Sequence, residues 1–466
     1  MKLRESCGVF GITSNTLNNI NVAEVIFQGL LALQHRGQES AGISIINHGR
    51  IHTYKGLGLV LEVFDPKRLK LLDGKCGIGH VRYSTRGMNR IENSQPMEFN
   101  STQKFSLCFN GNIANYGELR EKLESEGYSF STTSDLEVIG YLISKYIKKG
   151  WGIIDSIGYA MQELVGSYSA LLLLDNGALI AFRDKYGVKP LCIGLIDYSN
   201  YVFSSESSAL DVVGAKFARD IPPGTIIVAD DELLEVEWVK CDRHAHCMFE
   251  WVYFSRPDSM IEGISVYRVR YRLGEKLAEL CNVDADVVIP VPETSRIAAL
   301  GFSKRSGVPL AEGFGVNRYV WRTFIMPEDR GEYVTMKFNP IREVLKDKRV
   351  IMIDDSIVRG TTSKVLVSIL RKAGAREVHL AVTCPPIVSP CYMGVDFPTY
   401  DELIACDKGM EDIRRNIGAD SLTYMTIDGL IESIGIDESE LCLACLTGVY
   451  PMEIDPKILS GRWVKE

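Results

Sequence analysis

Val350-Ile-Met-Ile-Asp-Asp-Ser-Ile-Val-Arg-Gly-Thr-Thr-Ser363 is the stretch on which the fold turns. An apolar run ends in two adjacent carboxylates, Asp354 and Asp355, and Gly360 with three hydroxyl residues then leads into a helical pattern. A strand that stops at an acidic pair and turns into a helix is one unit of an open parallel α/β sheet. Ligands of such sheets sit beyond the carboxyl ends of the strands. The backbone N–H groups of residues 359–363, with the Thr361 and Thr362 hydroxyls, make a cradle for a phosphate. Two adjacent carboxylates would repel that phosphate, so they face something else. Ribose hydroxyls, or a Mg²⁺ that bridges to a second phosphate group, would satisfy them. The alternative, that the pair only caps the turn and helix, calls for one such residue rather than the whole string.

The surroundings of this stretch follow the same grammar. Residues 285–291 read as a strand and 295–306 as a helix; the central strand at 349–353 is followed by a helix at 363–373 and a strand at 378–383. Between them, residues 312–343 are polar, Arg-rich and poorly periodic, which predicts a long mobile loop. Before about residue 235 the pattern differs. Short alternating or β-branched runs at 7–12, 42–46, 105–109, 168–174 and 201–204 predict strands, with helices at 22–33, 116–126 and 136–148. Strands gathered around few helices predict a layered α+β domain with mainly antiparallel sheets. The two grammars divide the chain into a domain at 7–238 and a second at 245–466 with a C-terminal tail.

The 466 residues suffice for two or three domains of about 150 residues each. With 52 Lys and Arg against 60 Asp and Glu, the net charge is −8. That balance offers no general field for nucleic acid or an anionic membrane, so any phosphate site must be built locally. No uncharged apolar run reaches the ~20 residues that span a bilayer, and Met-Lys-Leu-Arg-Glu-Ser6 has no signal-peptide apolar region. The expected location is the cytoplasm. There, twelve cysteines are buried apolar side chains, nucleophiles or metal ligands rather than disulfides.

Two groups of cysteines stand out. Cys7-Gly-Val-Phe-Gly-Ile12 opens the first strand, and no neighbouring histidine supplies the base that a thiol nucleophile needs. If residues 1–6 form a propeptide that is removed, Cys7 carries its own α-amine. Such an amine has a pKa of ~7.7–8.0, so it can act as that base near neutral pH. Taken alone, Cys7 reads better as a buried structural thiol than as a nucleophile. The second group centres on Cys442-Leu-Ala-Cys445, whose spacing suits zinc, redox chemistry or neither.

Together these motifs resemble the phosphoribosyltransferases that use 5-phosphoribosyl-1-pyrophosphate (PRPP). More specifically they resemble the glutamine PRPP amidotransferase family, which opens purine synthesis, over nearly the whole chain. The resemblance implies an N-terminal class II glutaminase with Cys7 as nucleophile after propeptide removal, joined to a phosphoribosyltransferase domain. The carrying motifs are Leu33-Gln-His-Arg-Gly-Gln-Glu-Ser-Ala-Gly42, Gly79-His-Val-Arg-Tyr-Ser-Thr85, Asn110-Gly-Asn112 and Ser134-Asp135. It assigns Arg82 to the glutamine α-carboxylate, a role its guanidinium fork suits. Asp135 is assigned to the α-amino group, Arg36 to the same glutamine site, and Asn110 with Gly111 to the oxyanion hole. Read from residues alone, Asn110-Gly111 is also a hairpin turn and Arg82 a surface cation.

For the second domain the resemblance implies that Asp354 and Asp355 meet the ribose and Mg²⁺, and that Ser356, Arg359, Gly360, Thr361, Thr362 and Ser363 hold the 5′-phosphate. Thr294, in Val291-Pro-Glu-Thr-Ser295, lies near the Mg²⁺, while Arg318, Arg322 and Lys337 belong to a flexible loop that closes over PRPP. It adds Cys247 and Cys391 to Cys442 and Cys445 as ligands of a [4Fe–4S] cluster, a set that also suits structural zinc. An ammonia channel, a homodimer or homotetramer, and inhibition by purine nucleotides are further implications. Four positions depart from the family pattern. Phe109 replaces histidine, Val316 lysine, Trp321 glycine and Lys189 arginine. Val316 and Trp321 motivate one alternative, a PRPP- or nucleotide-sensing paralogue without the coupled reaction.

Overall fold

The computed structural model describes residues 7–14, 21–83, 89–197, 199–230, 232–240, 243–317, 330–397 and 399–455. Gly8–Thr13 lies between Asn200–Ser204 and Cys76–Arg82 in a seven-stranded sheet. Lys104–Ile113 lies between Met97–Asn100 and Gly166–Leu174 in a six-stranded one. Every pairing given for these strands is antiparallel.

Strand alternation builds the layers, because successive side chains point to opposite faces. Val9, Ile78, Cys108, Leu171 and Phe203 meet between the two sheets. Phe10, one residue on from Val9, instead packs with Ile26 and Leu30 of the helix Val22–Ala32. Phe109, one residue on from Cys108, packs with Leu142 and Ile143 of the helix Asp135–Lys148. The result is helix, sheet, sheet, helix. Helix and sheet approach so closely that a Cβ on Gly29 would lie 2.4 Å from the Phe10 ring.

The second half holds a parallel sheet in the order Val287–Pro290, Arg349–Asp354, Glu377–Val382, Ser421–Tyr424. Val288, Ile351 and Ile353 face a core shared with Val266–Leu280 and Arg296–Ser306. Ile289, Val350 and Met352 face Leu366 and Leu370 of the helix Thr361–Lys372. A strand covered on both faces is apolar at every position, which explains the unbroken run before Asp354.

The segment expected to be one loop at 312–343 has regular structure at both ends. Phe314–Val316 pairs antiparallel with Phe338–Pro340, and Arg330–Lys337 is helical. Phe314, Val334 and Phe338 are buried with Leu345, so a few well-placed apolar residues anchor a stretch that composition marks as polar. Val316, at a usual lysine position, pairs with Phe338 and packs on this core.

The two halves share packing. Ala114 and Val188 belong to the same buried cluster as Trp251, Phe249 and Phe397. The last strand of the two-sheet part is Leu233–Glu237, and His246–Cys247 pairs in parallel with Leu441–Cys442. No helix among the described residues is long and apolar enough to cross a membrane.

Candidate active sites

Cys7 stands at the head of the central strand, 7% exposed. Its sulfur accepts from the Tyr83 N–H at 3.4 Å and lies 3.3 Å from the Tyr83 carbonyl. Burial pushes the thiol pKa up, while the Tyr83 backbone and the Arg82 charge pull the other way. A thiol in this setting is protonated at neutral pH, so nucleophilic attack requires a nearby base.

Two of the groups expected around it, Arg82 and Asp135, act on it. Arg82 ends the neighbouring strand, and the charges of both Arg82 and Asp135 act on the Cys7 thiol. Asp135 opens its helix beneath the Ser134 cap, and its Oδ2 accepts from the Ile113 N–H at 3.0 Å. Asn110 is completely buried, and among the described residues neither its Oδ1 nor its Nδ2 has a hydrogen-bond partner. A buried amide left open costs about 1–3 kcal/mol, and a ligand that accepts from it recovers that cost. Gly111 is required by space, because a Cβ there would sit 2.0 Å from the Ser167 carbonyl oxygen.

Arg36, expected at the glutamine site, is gripped by other groups of the protein. Its guanidinium is buried between two carboxylates, with Nη1 2.5 Å from Glu206 and Nη2 2.8 Å from Glu250. Its Nε–H donates to the Cys7 carbonyl at 3.1 Å. The side chain therefore holds the Cys7 backbone. Sequence reading missed Glu206 and Glu250, which join it from 170 and 214 residues away. Phe109 also proves remote in effect, since its ring faces the helix-side core while Cys108 faces the other sheet.

At the far end of the chain, Asp354 and Asp355 are 2% and 1% exposed at the carboxyl end of the second strand of the parallel sheet. Asp354 Oδ1 accepts from the Asp355 N–H at 3.0 Å, and Ser356 donates to Asp355 at 2.8 Å. Buried Arg270 feels the charge of Asp355, though burial is the larger influence and brings its pKa down to about 10. Gly360, at φ +74°, is the N-cap of the helix Thr361–Lys372 and has no side chain with which to cap it. Arg359 pairs with Glu402 at 2.6 Å. Thr294 follows the adjacent strand, which is tied across by the Val291 N–H to the Ile353 carbonyl at 2.8 Å. Carboxylates and a threonine hydroxyl are hard-oxygen donors of the kind Mg²⁺ takes. Lys337 lies beside the ribbon, its carbonyl accepting from the Asn317 N–H at 2.9 Å. Arg318, Arg322 and Trp321 lie outside the described residues, as do residues 1–6, Ser84 and Thr85.

The cysteines of the second group also gather. Cys247 and Cys442 are register partners across the short parallel pair, and the charges of Cys247, Cys391 and Cys442 all act on Cys445. Burial raises all four thiols, Cys442 to about 12. Four soft sulfur donors suit a cluster or zinc. Among the described residues, however, no three His, Cys, Asp or Glu side chains are already disposed to grip an ion. Lys189 is fully buried beside them, and its charge lowers Cys247, Cys391 and Cys442.

An antiparallel layered glutaminase fold with a cysteine at the head of its central strand, joined to a phosphoribosyltransferase sheet, defines a two-domain glutamine amidotransferase. A model of the glutamine amidotransferase domain matches residues 80–212. The amidophosphoribosyltransferase of Methanothermobacter thermautotrophicus is 50% identical, over 98% of this chain and 97% of its own. That of Bacillus subtilis is 43% identical, over 97% and 95%. The solved structure of the B. subtilis glutamine PRPP amidotransferase, complexed with ADP and GMP, superposes with a TM-score of 0.89 at 42% identity, covering 96% of this chain and 98% of that one. This chain belongs to the amidophosphoribosyltransferase family.

Proposed function

We propose that the chain is a glutamine-dependent amidophosphoribosyltransferase that makes 5-phosphoribosylamine, glutamate and pyrophosphate from glutamine, PRPP and water. The supporting observation is the open, buried amide of Asn110 in the domain that carries Cys7, in one chain with an acid pair at the carboxyl end of a parallel strand that leads through Gly360 into a helix.

With residues 1–6 removed, the freed α-amine takes the thiol proton as Cys7 attacks the glutamine amide carbon. Asn110 and the Gly111 N–H receive the negative charge that develops on the amide oxygen. The protonated amine then gives its proton to the leaving nitrogen, ammonia departs, and water hydrolyses the glutamyl thioester. Arg82 and Asp135 hold the substrate's α-carboxylate and α-amino group. In the second domain ammonia displaces pyrophosphate at the anomeric carbon, while residues 359–363 hold the 5′-phosphate. Mg²⁺, held by Thr294, Asp354 and Asp355, would offset charge on the departing pyrophosphate. Excluding water matters because water competes for the same carbon.

We assign Arg36 to positioning Cys7. The cysteine set is assigned to a structural [4Fe–4S] cluster joining the interdomain strand to the tail, with no electron-transfer role. The reading places the enzyme in the cytoplasm as a homodimer or homotetramer, inhibited by purine nucleotides, with domains at 7–238 and 245–466. The departures at Phe109 and Val316 lie in apolar packing and lend no support to a sensing paralogue. Glutamate release by anaerobically purified protein, with and without PRPP and Mg²⁺, tests the reading. A strong rise with PRPP is expected; hydrolysis indifferent to PRPP, or absent from protein shown by intact mass to lack residues 1–6, would overturn it.

A further inference from the structure

Behind the proposed oxyanion hole lies a loop from the other half of the chain. Asn112 is two residues beyond Asn110 and so on the same face of the strand. Its Nδ2 donates to the Tyr392 carbonyl at 2.8 Å. Ser167, the cross-strand partner of Asn112, donates its hydroxyl to the Met393 carbonyl at 2.8 Å. Gly394, at φ +90°, packs so closely that a Cβ there would lie 3.3 Å from the Gly111 carbonyl carbon. A third tie runs through Ser169, the cross-strand partner of Asn110. Its hydroxyl donates to the Lys189 carbonyl at 2.9 Å, and Lys189 Nζ reaches the Gly394 carbonyl at 3.5 Å.

We infer that residues 392–394 form the back wall of the oxyanion hole, and that Asn112 and Ser167 are positioning residues that hold this wall against the strand carrying Asn110 and Gly111. The two clamps lie on neighbouring strands and grip consecutive carbonyls, so they fix both the distance and the orientation of the loop. Gly394 packs against the Gly111 carbonyl, in the peptide that directly follows the one carrying the Gly111 N–H. Oxyanion donors act only when held within a fraction of an ångström of the developing charge. A wall that withdraws would let the Gly111 peptide rotate while leaving the Arg82 and Asp135 grip on glutamine intact. The loop also carries Cys391, whose sulfur accepts from the Met393 N–H at 3.3 Å. The cysteine group and the glutaminase site are therefore mechanically continuous.

The inference rests on the reading of Asn110 and Gly111 given above, and its test separates the two. In Asn112→Ala/Ser167→Ala, kcat for glutamine hydrolysis is expected to fall roughly 10- to 100-fold, with KM for glutamine within about twofold. Two readouts should stay at the wild-type level: PRPP turnover with added ammonium, and the alkylation rate of Cys7 by iodoacetamide read on its peptide by mass. That alkylation develops no charge on an amide oxygen. Ser167→Thr keeps the hydroxyl and should keep the rate. An unchanged kcat, or a rise in KM alone, overturns the inference. So does a loss that extends to the ammonium reaction, both in the double variant and in Asn112→Ala alone, since that marks general damage. A wild-type enzyme without glutaminase activity would instead overturn the oxyanion reading itself.

Discussion

Arg36 donates its Nε–H to the carbonyl oxygen of Cys7 at 3.1 Å while both ends of its guanidinium are held by buried carboxylates. One side chain thus joins the Cys7 backbone to Glu206 and Glu250. Arg36→Met would leave two buried carboxylates without their shared cation, a change that costs about 3–5 kcal/mol. Urea unfolding should show that loss, and glutamine hydrolysis should fall with it. A variant of wild-type stability would contradict the burial on which this rests.

The same triad predicts an acid limit. Burial alone would raise the Glu206 pKa, but the charges and hydrogen bonds of His35 and Arg36 outweigh it and hold the carboxyl well below its ordinary value. A depressed folded-state pKa contributes stability that is fully present above about pH 5 and is lost as pH falls through the acid range. In Glu206→Gln the slope of unfolding free energy between pH 6 and pH 3 should be shallower than in wild type, with lower stability at pH 7.

Asp220 has the opposite sign. Burial first, and then the Glu262 charge, raise its pKa towards neutrality. Its folded form therefore binds more protons than the unfolded chain between the ordinary carboxylate value and neutral pH, so its contribution to stability declines as pH rises through that window. Asp220→Asn keeps an acceptor for the Gly263 N–H, which lies 3.3 Å from Oδ2. The variant should be more stable than wild type at pH 8, on the order of 1–2 kcal/mol. Chemical denaturation at pH 5 and pH 8 measures the difference, which should nearly vanish at the lower pH.

Two substitutions should separate the half-reactions. Cys7→Ala is expected to abolish glutamine-dependent turnover while PRPP consumption with ammonium continues. Asp355→Asn should lower both PRPP reactions at least about 100-fold, yet leave PRPP-independent glutamine hydrolysis measurable. Ammonium-driven turnover that vanished in Cys7→Ala would contradict the separation of the sites.

Anaerobically purified protein should contain iron and acid-labile sulfide in the ratio of a [4Fe–4S] cluster, and Cys442→Ser should lose both. Zinc in place of iron would reassign the thiols to a structural zinc site. Either metal should raise the thermal midpoint over the metal-free protein, because binding to the folded state alone stabilises it.

What could be read from sequence was local. The strand, the acid pair and the turn into the helix lie within fourteen consecutive residues, so apolar runs, Gly360 and hydroxyls in fixed order suffice to describe them. The layered first domain was legible for a similar reason, since alternation such as Val9 against Phe10 records a two-faced strand whatever its partners. The anchored ends of residues 312–343 were not legible, because three or four apolar residues pinned to a distant core leave no periodicity. Family resemblance named Arg36 but not its partners: its hydrogen bonds to Glu206 and Glu250 span 170 and 214 residues. The clamp of Asn112 on Tyr392 spans 280. Pairings at such separations leave no trace in local pattern, because a buried charge or amide takes whichever partner the packed layers bring within reach. Tertiary structure alone decided what holds Cys7 and what stands behind Asn110.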